Sequence, residues 1–276
     1  MEKQTIETYL YTPSEKVNDP LDFYLCFPGP YHLGMSSLGF LHLFQLMDTL
    51  EYIKPQRLFS DSKTTKLLNN SIISFSFSFE LDFLRIFKIL QAHNIPVLKK
   101  YRTEEHPIIF AGGPVVSTNP EPFSDFFDFI VIGDGKEPLK QLSKLLYNNK
   151  TVDKKSKLNL LSKISGIYVP EFFDINYNED NTIKSIVNIN DNKSSTVKKA
   201  IDSCIDQCVY SPILTSDTVF SDTLLIEVER GCSQKCHFCI ASYLNLPVRY
   251  PSTSSIIEIL DRGLKHTRKI GLLGAL

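Results

Sequence analysis

Three cysteines spaced C-x3-C-x2-C constrain what this chain can fold into more than any other feature. Cys232, Cys236 and Cys239 directly follow an apolar, strand-like stretch from Leu224 to Val228. Thiolates at this density in one loop can converge on one centre, and thiolate is the soft ligand that iron–sulfur clusters use. A 4Fe–4S cube has four irons, so three cysteines leave one iron with an open coordination position. An open position is typical of a metal centre that performs chemistry.

This segment resembles the radical S-adenosylmethionine (SAM) superfamily. The resemblance rests on the cysteine spacing, the Arg230-Gly231 lead-in and the aromatic Phe238 before the third cysteine. It implies that the three cysteines hold a 4Fe–4S cluster and that SAM chelates the fourth iron. It also implies reductive cleavage of SAM to a 5′-deoxyadenosyl radical. Phe238 would then lie near the adenine, and Gly274, before Ala275, near the SAM amino group.

Other interpretations of the cysteines stay open at this point. A structural zinc site needs four ligands, and His237 would have to supply the last from between two of the cysteines. Disulfides require an oxidising compartment, and no secretory signal follows Met1. Cys204 and Cys208 form a further C-x3-C pair, which would be either ligands of an auxiliary cluster or unremarkable residues. Cys26, within an apolar run, is expected to be a buried small hydrophobe.

The first half of the chain alternates short apolar runs with longer amphipathic ones. This pattern predicts an α/β fold with a parallel sheet covered on both faces. A polar loop is expected from Asn148 to Lys157. The predicted strands lie at 23–27, 72–77, 108–111 and 129–132, and the predicted helices at 38–50, 79–92 and 137–147.

The glycine-rich strand ends of this region also resemble a known domain. Ala111–Pro114, Asn119–Pro122 and Phe127–Glu137 are together similar to the cobalamin-binding-type domain that precedes many radical SAM barrels. In the loop after the first strand, His32 is present, but Pro30 stands where a cobalt-ligand motif, D-x-H-x-x-G, has Asp. Cobalamin therefore stays an open candidate without a ligand motif, and His32 is expected to be a loop histidine.

These observations predict a domain order. A Rossmann-like, cobalamin-binding-type domain would span 1–150, and a connector with a short β-hairpin and a polar linker would span 151–222. The first βαβ part of a radical SAM partial TIM barrel would follow over 223–276. A barrel uses about 30 residues per βα unit, so a six-unit barrel needs about 180. We therefore expect this chain to be the N-terminal part of a longer protein.

Composition narrows the function classes. A net charge of −1 gives no electrostatic footprint for nucleic acid, and no apolar run is long enough to cross a membrane. A cytoplasmic radical SAM enzyme of unknown reaction and substrate is the leading hypothesis, with no catalytic residue assigned. An electron donor such as flavodoxin or ferredoxin would be its partner. The alternative is a non-catalytic iron–sulfur or metal-binding module that lacks most of the barrel.

Overall fold

The chain folds into two contact-dense units. The computed structural model describes residues 6–62, 67, 71–190, 196–202 and 208–274. One unit combines Met1–Thr64 with Asp202–Leu276, and the other spans Thr65–Ile201. These units combine separate segments of the chain and do not test the domain limits expected at residues 150 and 222. Those limits stay a prediction.

Both units mix strands and helices. The strands are β1 (Glu7–Tyr9), β2 (Leu21–Phe27), β3 (Ile53–Phe59), β4 (Ile72–Ser76), β5 (Ile108–Gly112), β6 (Phe129–Val131), β7 (Ile167–Tyr168), β8 (Phe173–Tyr177), β9 (Ile183–Asn188), β10 (Ile213–Thr215), β11 (Leu224–Glu227) and β12 (Ile270–Leu273). The helices are α1 (Tyr31–Gly34), α2 (Leu38–Asp48), α3 (Phe83–Ala92), α4 (Pro114–Thr118), α5 (Lys136–Asn148), α6 (Lys154–Leu161), α7 (Ala241–Leu244) and α8 (Thr253–Gly263).

The unit formed by Thr65–Ile201 confirms the predicted parallel sheet. β4 pairs parallel with β5, and β5 pairs parallel with β6, while β7 closes the row antiparallel to β6. Their side chains are almost all buried, as expected for strands covered on both faces. β8 and β9 form a separate antiparallel hairpin, at the place where the sequence predicts one.

Gly113, at the carboxyl end of this sheet, occupies a position that a residue with a side chain cannot take. Gly113 has φ +120°, and a Cβ added there would lie 2.5 Å from the backbone oxygen of Phe77. Gly113, directly after β5, therefore allows two backbone segments to approach each other before α4 begins.

The other unit is built from three strand pairs. β2 pairs parallel with β3 under α2, β1 pairs antiparallel with β10, and β11 pairs parallel with β12. Helix α8 packs on β11 so closely that a Cβ on Gly263 would meet the Leu224 side chain at 2.5 Å. One buried cluster joins β10, β11 and α8 to the N-terminal segment, and it contains Leu10, Cys208, Tyr210, Leu214, Leu224, Ile226 and Ile259.

Strand β3 and helix α6 are among the elements that were not predicted from the sequence. β3 contains Pro55 and alternates little, yet it pairs with β2 over seven residues. The predicted polar loop is wrong from Lys154 onward, because α6 begins there with the Asp153 carboxylate accepting from the Ser156 amide. Among the described residues, no helix is long and apolar enough to cross a membrane.

Candidate functional site

The three motif cysteines lie on the loop that leaves the carboxyl end of β11. This cysteine loop, residues 231–248, lies between β11 and Arg249 and includes α7. All three thiols are free and partly exposed. A turn inside the loop brings the Cys239 amide to 3.0 Å from the Cys236 carbonyl, with Lys235 at φ +50°. The apolar stretch before the motif is therefore a strand, as the sequence predicts.

Backbone contacts join the two ends of the cysteine loop. Arg230 and Arg249 exchange both of their backbone hydrogen bonds, each at 2.9 Å. Next to them Gly231 has φ +94°, and a Cβ there would lie 2.6 Å from the Asn245 carbonyl oxygen. The residue before the first cysteine must therefore be glycine for the chain segments to meet this closely.

Two arginines flank the cysteine loop and anchor its ends. The Arg230 guanidinium makes two hydrogen bonds to the Glu227 carboxylate, at 2.9 and 2.6 Å. Arg249 is buried and donates to the carbonyls of Asp202, Asn245 and Pro247. The structure directs the Arg249 guanidinium to these backbone carbonyls rather than to the three thiols.

In the structure, the three motif thiols do not lie close enough together to bind one metal ion. Within the described part of the chain, no three His, Cys, Asp or Glu side chains lie close enough to bind one metal ion. The donor set nevertheless fits an iron–sulfur cluster, because three free soft ligands lie within eight consecutive residues. Both ends of the loop are anchored, so ligation requires rearrangement only within the loop.

The two predicted cofactor-contact residues lie at the same edge of the β11–β12 pair. Phe238, on the cysteine loop, is 92% exposed. Gly274 follows β12, and a Cβ there would lie 3.2 Å from the Glu229 Cβ. The Val228 amide donates to the Leu273 carbonyl at 2.8 Å, which holds these chain segments together. Ala275, next to Gly274, lies outside the described residues.

Two further cysteines, Cys208 and Cys26, are buried away from the cysteine loop. Cys208 is buried in the core of its unit, and its thiol donates to the Glu227 carbonyl at 3.4 Å. Burial raises the pKa of this thiol to about 11, and the nearby Glu227 charge adds to the shift. A protonated, packed thiol is a poor metal ligand. Cys204 lies outside the described residues, and Cys26 is fully buried, with burial raising the pKa of its thiol well above the ordinary value.

The loop after β2 does not fit histidine-ligated cobalamin. His32 lies exposed on α1, directly after the Pro30-Tyr31 pair. The Tyr31 amide is held by the Asp61 carboxylate and its hydroxyl by Glu7, so the loop is fixed by residues other than His32. A ligand histidine needs a carboxylate or carbonyl to orient its ring, and the motif position for that carboxylate is proline.

Comparison with known proteins agrees with the fold. Residues 44–170 match the family described as "Radical SAM proteins, N-terminal". Over these residues the chain is similar to the N-terminal region of radical SAM proteins. An uncharacterized protein of Methanocaldococcus jannaschii is 25% identical over 202 residues, which cover 70% of this chain and 38% of that protein.

Solved structures share the fold at low sequence identity. OxsB, a cobalamin-dependent SAM radical enzyme solved with aqua-cobalamin and SAM bound, matches with a TM-score of 0.55 and 17% identity, over 92% of this chain. TsrM, a radical SAM methyltransferase from Kitasatospora setae solved with cobalamin and a [4Fe-4S] cluster, matches with a TM-score of 0.50 and 11% identity, over 93% of this chain. This chain spans 34% of the OxsB chain and 48% of the TsrM chain.

Proposed function

We propose that Cys232, Cys236 and Cys239 bind a 4Fe–4S cluster whose open iron binds SAM for radical chemistry. The observation that carries this proposal is the cysteine loop itself: three free thiols between two anchored ends, at the carboxyl end of a barrel-type strand. Active sites of βα barrels form at that end of the strands. When bound, the cluster supplies the electron for reductive cleavage of SAM.

This chain's own residues would hold and orient the ligands. Gly231 and the Arg230–Arg249 backbone pair hold the loop ends together, which limits the positions that the thiols can take. The exposed ring of Phe238 offers a face for the adenine of SAM. The exposed backbone of Gly274 lies beside Glu229, and the amino group of SAM would bind there.

The proposal includes a reductant but no cobalamin step. Cleavage of SAM needs an electron from outside the chain, and a small redox protein such as a flavodoxin or ferredoxin would supply it. OxsB and TsrM were solved with cobalamin, but His32 and Pro30 do not form a cobalt-ligand site in this chain. The substrate and reaction class are left open, as is the location in the cytoplasm that the sequence predicts.

Iron and sulfide analysis of the anaerobically reconstituted protein tests the proposal. We expect about four irons and four sulfides per chain. We also expect an EPR signal of the dithionite-reduced protein that changes when SAM is added. Cys236→Ala should abolish this change and lower the iron content, because it removes one of the three thiols. Cys26→Ala is the matched control, since it also removes one cysteine but leaves the cysteine loop intact.

The outcomes separate the candidate functions. Zinc in place of iron, or full iron content in a variant lacking all three motif cysteines, would contradict the proposal. Iron without a SAM-dependent EPR change would favour the alternative, a non-catalytic iron–sulfur module. This alternative must be tested in the 276-residue chain and in any longer form, because the compared proteins are longer.

A further inference from the structure

A buried hydroxyl lies in the cysteine loop, shortly after the third cysteine. Ser242 is the second residue of α7 and comes three residues after Cys239. Its residue is 1% exposed, and its Oγ atom is buried with no hydrogen-bond partner among the described residues. Buried hydroxyls are nearly always hydrogen-bonded, so one without a partner calls for an explanation.

Two other hydroxyls on helices of this chain donate hydrogen bonds to carbonyls of their own helix. Ser143, which is also fully buried, donates to the Leu139 carbonyl at 2.5 Å. Thr118 donates to the Pro114 carbonyl at 2.8 Å. Both use the carbonyl four residues earlier, the usual acceptor for a hydroxyl on a helix. The corresponding acceptor for Ser242 is the Phe238 carbonyl, and no bond to it forms.

Ser242 lies in the part of the chain where a bound cluster would add hydrogen-bond acceptors. Helix α7 connects the third cysteine to Asn245, whose carbonyl packs against Gly231 at the beginning of the cysteine loop. Ser242 thus lies on the segment that joins the two ends of the loop. The acceptors that a bound cluster adds to this loop are thiolate and sulfide sulfurs, and their negative charge attracts an O–H donor.

We propose that the Ser242 hydroxyl donates a hydrogen bond to a sulfur of the cluster and thereby raises its reduction potential. A donor to sulfur favours the reduced cluster, because reduction adds negative charge to it. The inference rests on the proposed function, since it requires a cluster on Cys232, Cys236 and Cys239. It assigns to Ser242 a role that neither the motif nor its spacing indicates.

The stability of the metal-free chain tests the first step. If the hydroxyl has no partner before the cluster binds, Ser242→Ala should leave the Tm of the chelator-treated chain unchanged or raise it. Ser143→Ala, the matched control, should lower the Tm because it breaks a buried hydrogen bond. A decrease for Ser242→Ala as large as that for Ser143→Ala would overturn the proposal, because the hydroxyl would then already have a protein partner.

The midpoint potential of the reconstituted cluster tests the second step. An EPR-monitored redox titration should give a more negative potential for Ser242→Ala at unchanged iron content. Ser242→Thr, which keeps the hydroxyl, and Ser233→Ala, at an exposed position of the same loop, should keep the wild-type potential. An unchanged potential for Ser242→Ala at full iron content overturns this inference alone. A wild-type chain that binds no iron instead contradicts the proposed function.

Discussion

Gly231 determines, at the scale of single residues, how the cysteine loop leaves its strand. Its φ of +94° lies where side chains are rarely tolerated, and the Asn245 carbonyl occupies the space of a Cβ. The position therefore combines backbone strain with a steric clash for any other residue. Both effects act one residue before Cys232, so they bear directly on the path of the first thiol.

We expect Gly231→Ala to destabilise the chain by about 1–3 kcal/mol, the cost of a strained backbone conformation without glycine. Iron content after reconstitution should fall, because the loop ends no longer meet. Urea unfolding and iron analysis measure the two effects. Gly39→Ala is the control: no atom lies within 4 Å of its Cβ site in α2, so it should be neutral or stabilise by up to about 1 kcal/mol. Wild-type stability and iron in Gly231→Ala would contradict this account.

Single residues also show where prediction from the sequence ends. The three cysteines are found from their local spacing, which is visible in a sequence, and Phe238 and Gly274 are candidates that the family resemblance implies. The pairing of Arg230 with Arg249, the burial of Arg249 and the unpartnered hydroxyl of Ser242 depend on segments that meet only after folding. No periodicity in the sequence indicates them.

At the scale of elements, the short strand β1 is held by one charged cluster. The Glu7 carboxylate accepts from Arg57 on β3 at 2.7 Å and from the Tyr31 hydroxyl at 2.6 Å. Burial alone would raise the pKa of Glu7, but the hydrogen bond and charge of Arg57, with the hydroxyls of Tyr31 and Tyr9, lower it below 4.5. A three-residue strand thus gains an anchor that its own backbone ladder is too short to provide.

This lowered pKa predicts how stability depends on pH. Because the pKa of Glu7 is lower in the folded chain, its stabilisation is present above pH 4.5 and is lost as pH falls through the folded pKa. We expect Glu7→Gln to lower the Tm by a few degrees at pH 7, with a difference from wild type that shrinks in acid. Thermal unfolding between pH 3 and pH 7 measures this.

The exposed Glu80 provides the control for this prediction. Glu80→Gln should change the Tm little at any pH in this range, since the side chain lies at the surface. A Tm difference between wild type and Glu7→Gln that stays constant down to pH 3 would show that the charge of Glu7 is not responsible.

Elements also differ in how well the sequence predicts them. Strands with continuous apolar runs, such as β4 and β5, are buried on both faces, and burial leaves a strong pattern. The sequence pattern of β3 is weak, because a half-buried strand can contain Pro55 and polar residues. Ser252 caps α8 and accepts from the Ser255 amide at 3.2 Å, a contact that only the structure shows.

On the scale of the whole molecule, the N-terminal segment contributes to the core beneath the cysteine loop. β1 pairs with β10, and Leu10 packs in the same buried cluster as Leu224 and Ile226 of β11. The strand that carries the proposed cluster is therefore supported by residues from the opposite end of the sequence, within one unit.

We expect Leu10→Ala to destabilise the chain by about 2–5 kcal/mol, the cost of truncating a buried leucine. Hydrogen exchange should rise at the amides of β11, because part of its packing is lost. Leu81→Ala, at a position 75% exposed, should leave both stability and exchange near wild type. Unchanged exchange at β11 in Leu10→Ala would show that the N-terminal segment does not support this strand.

The sequence alone determined the class of fold, most buried strands and helices, and the strand that precedes the three thiols. These depend on residue type and spacing over short stretches, where the chain's own geometry constrains the outcome. The tertiary structure decided which ends of the loop meet, where the two arginines point, which hydroxyl is left without a partner and that Leu10 supports β11. The physical reason is that these contacts join distant segments, whose pairing depends on the packing of the whole core.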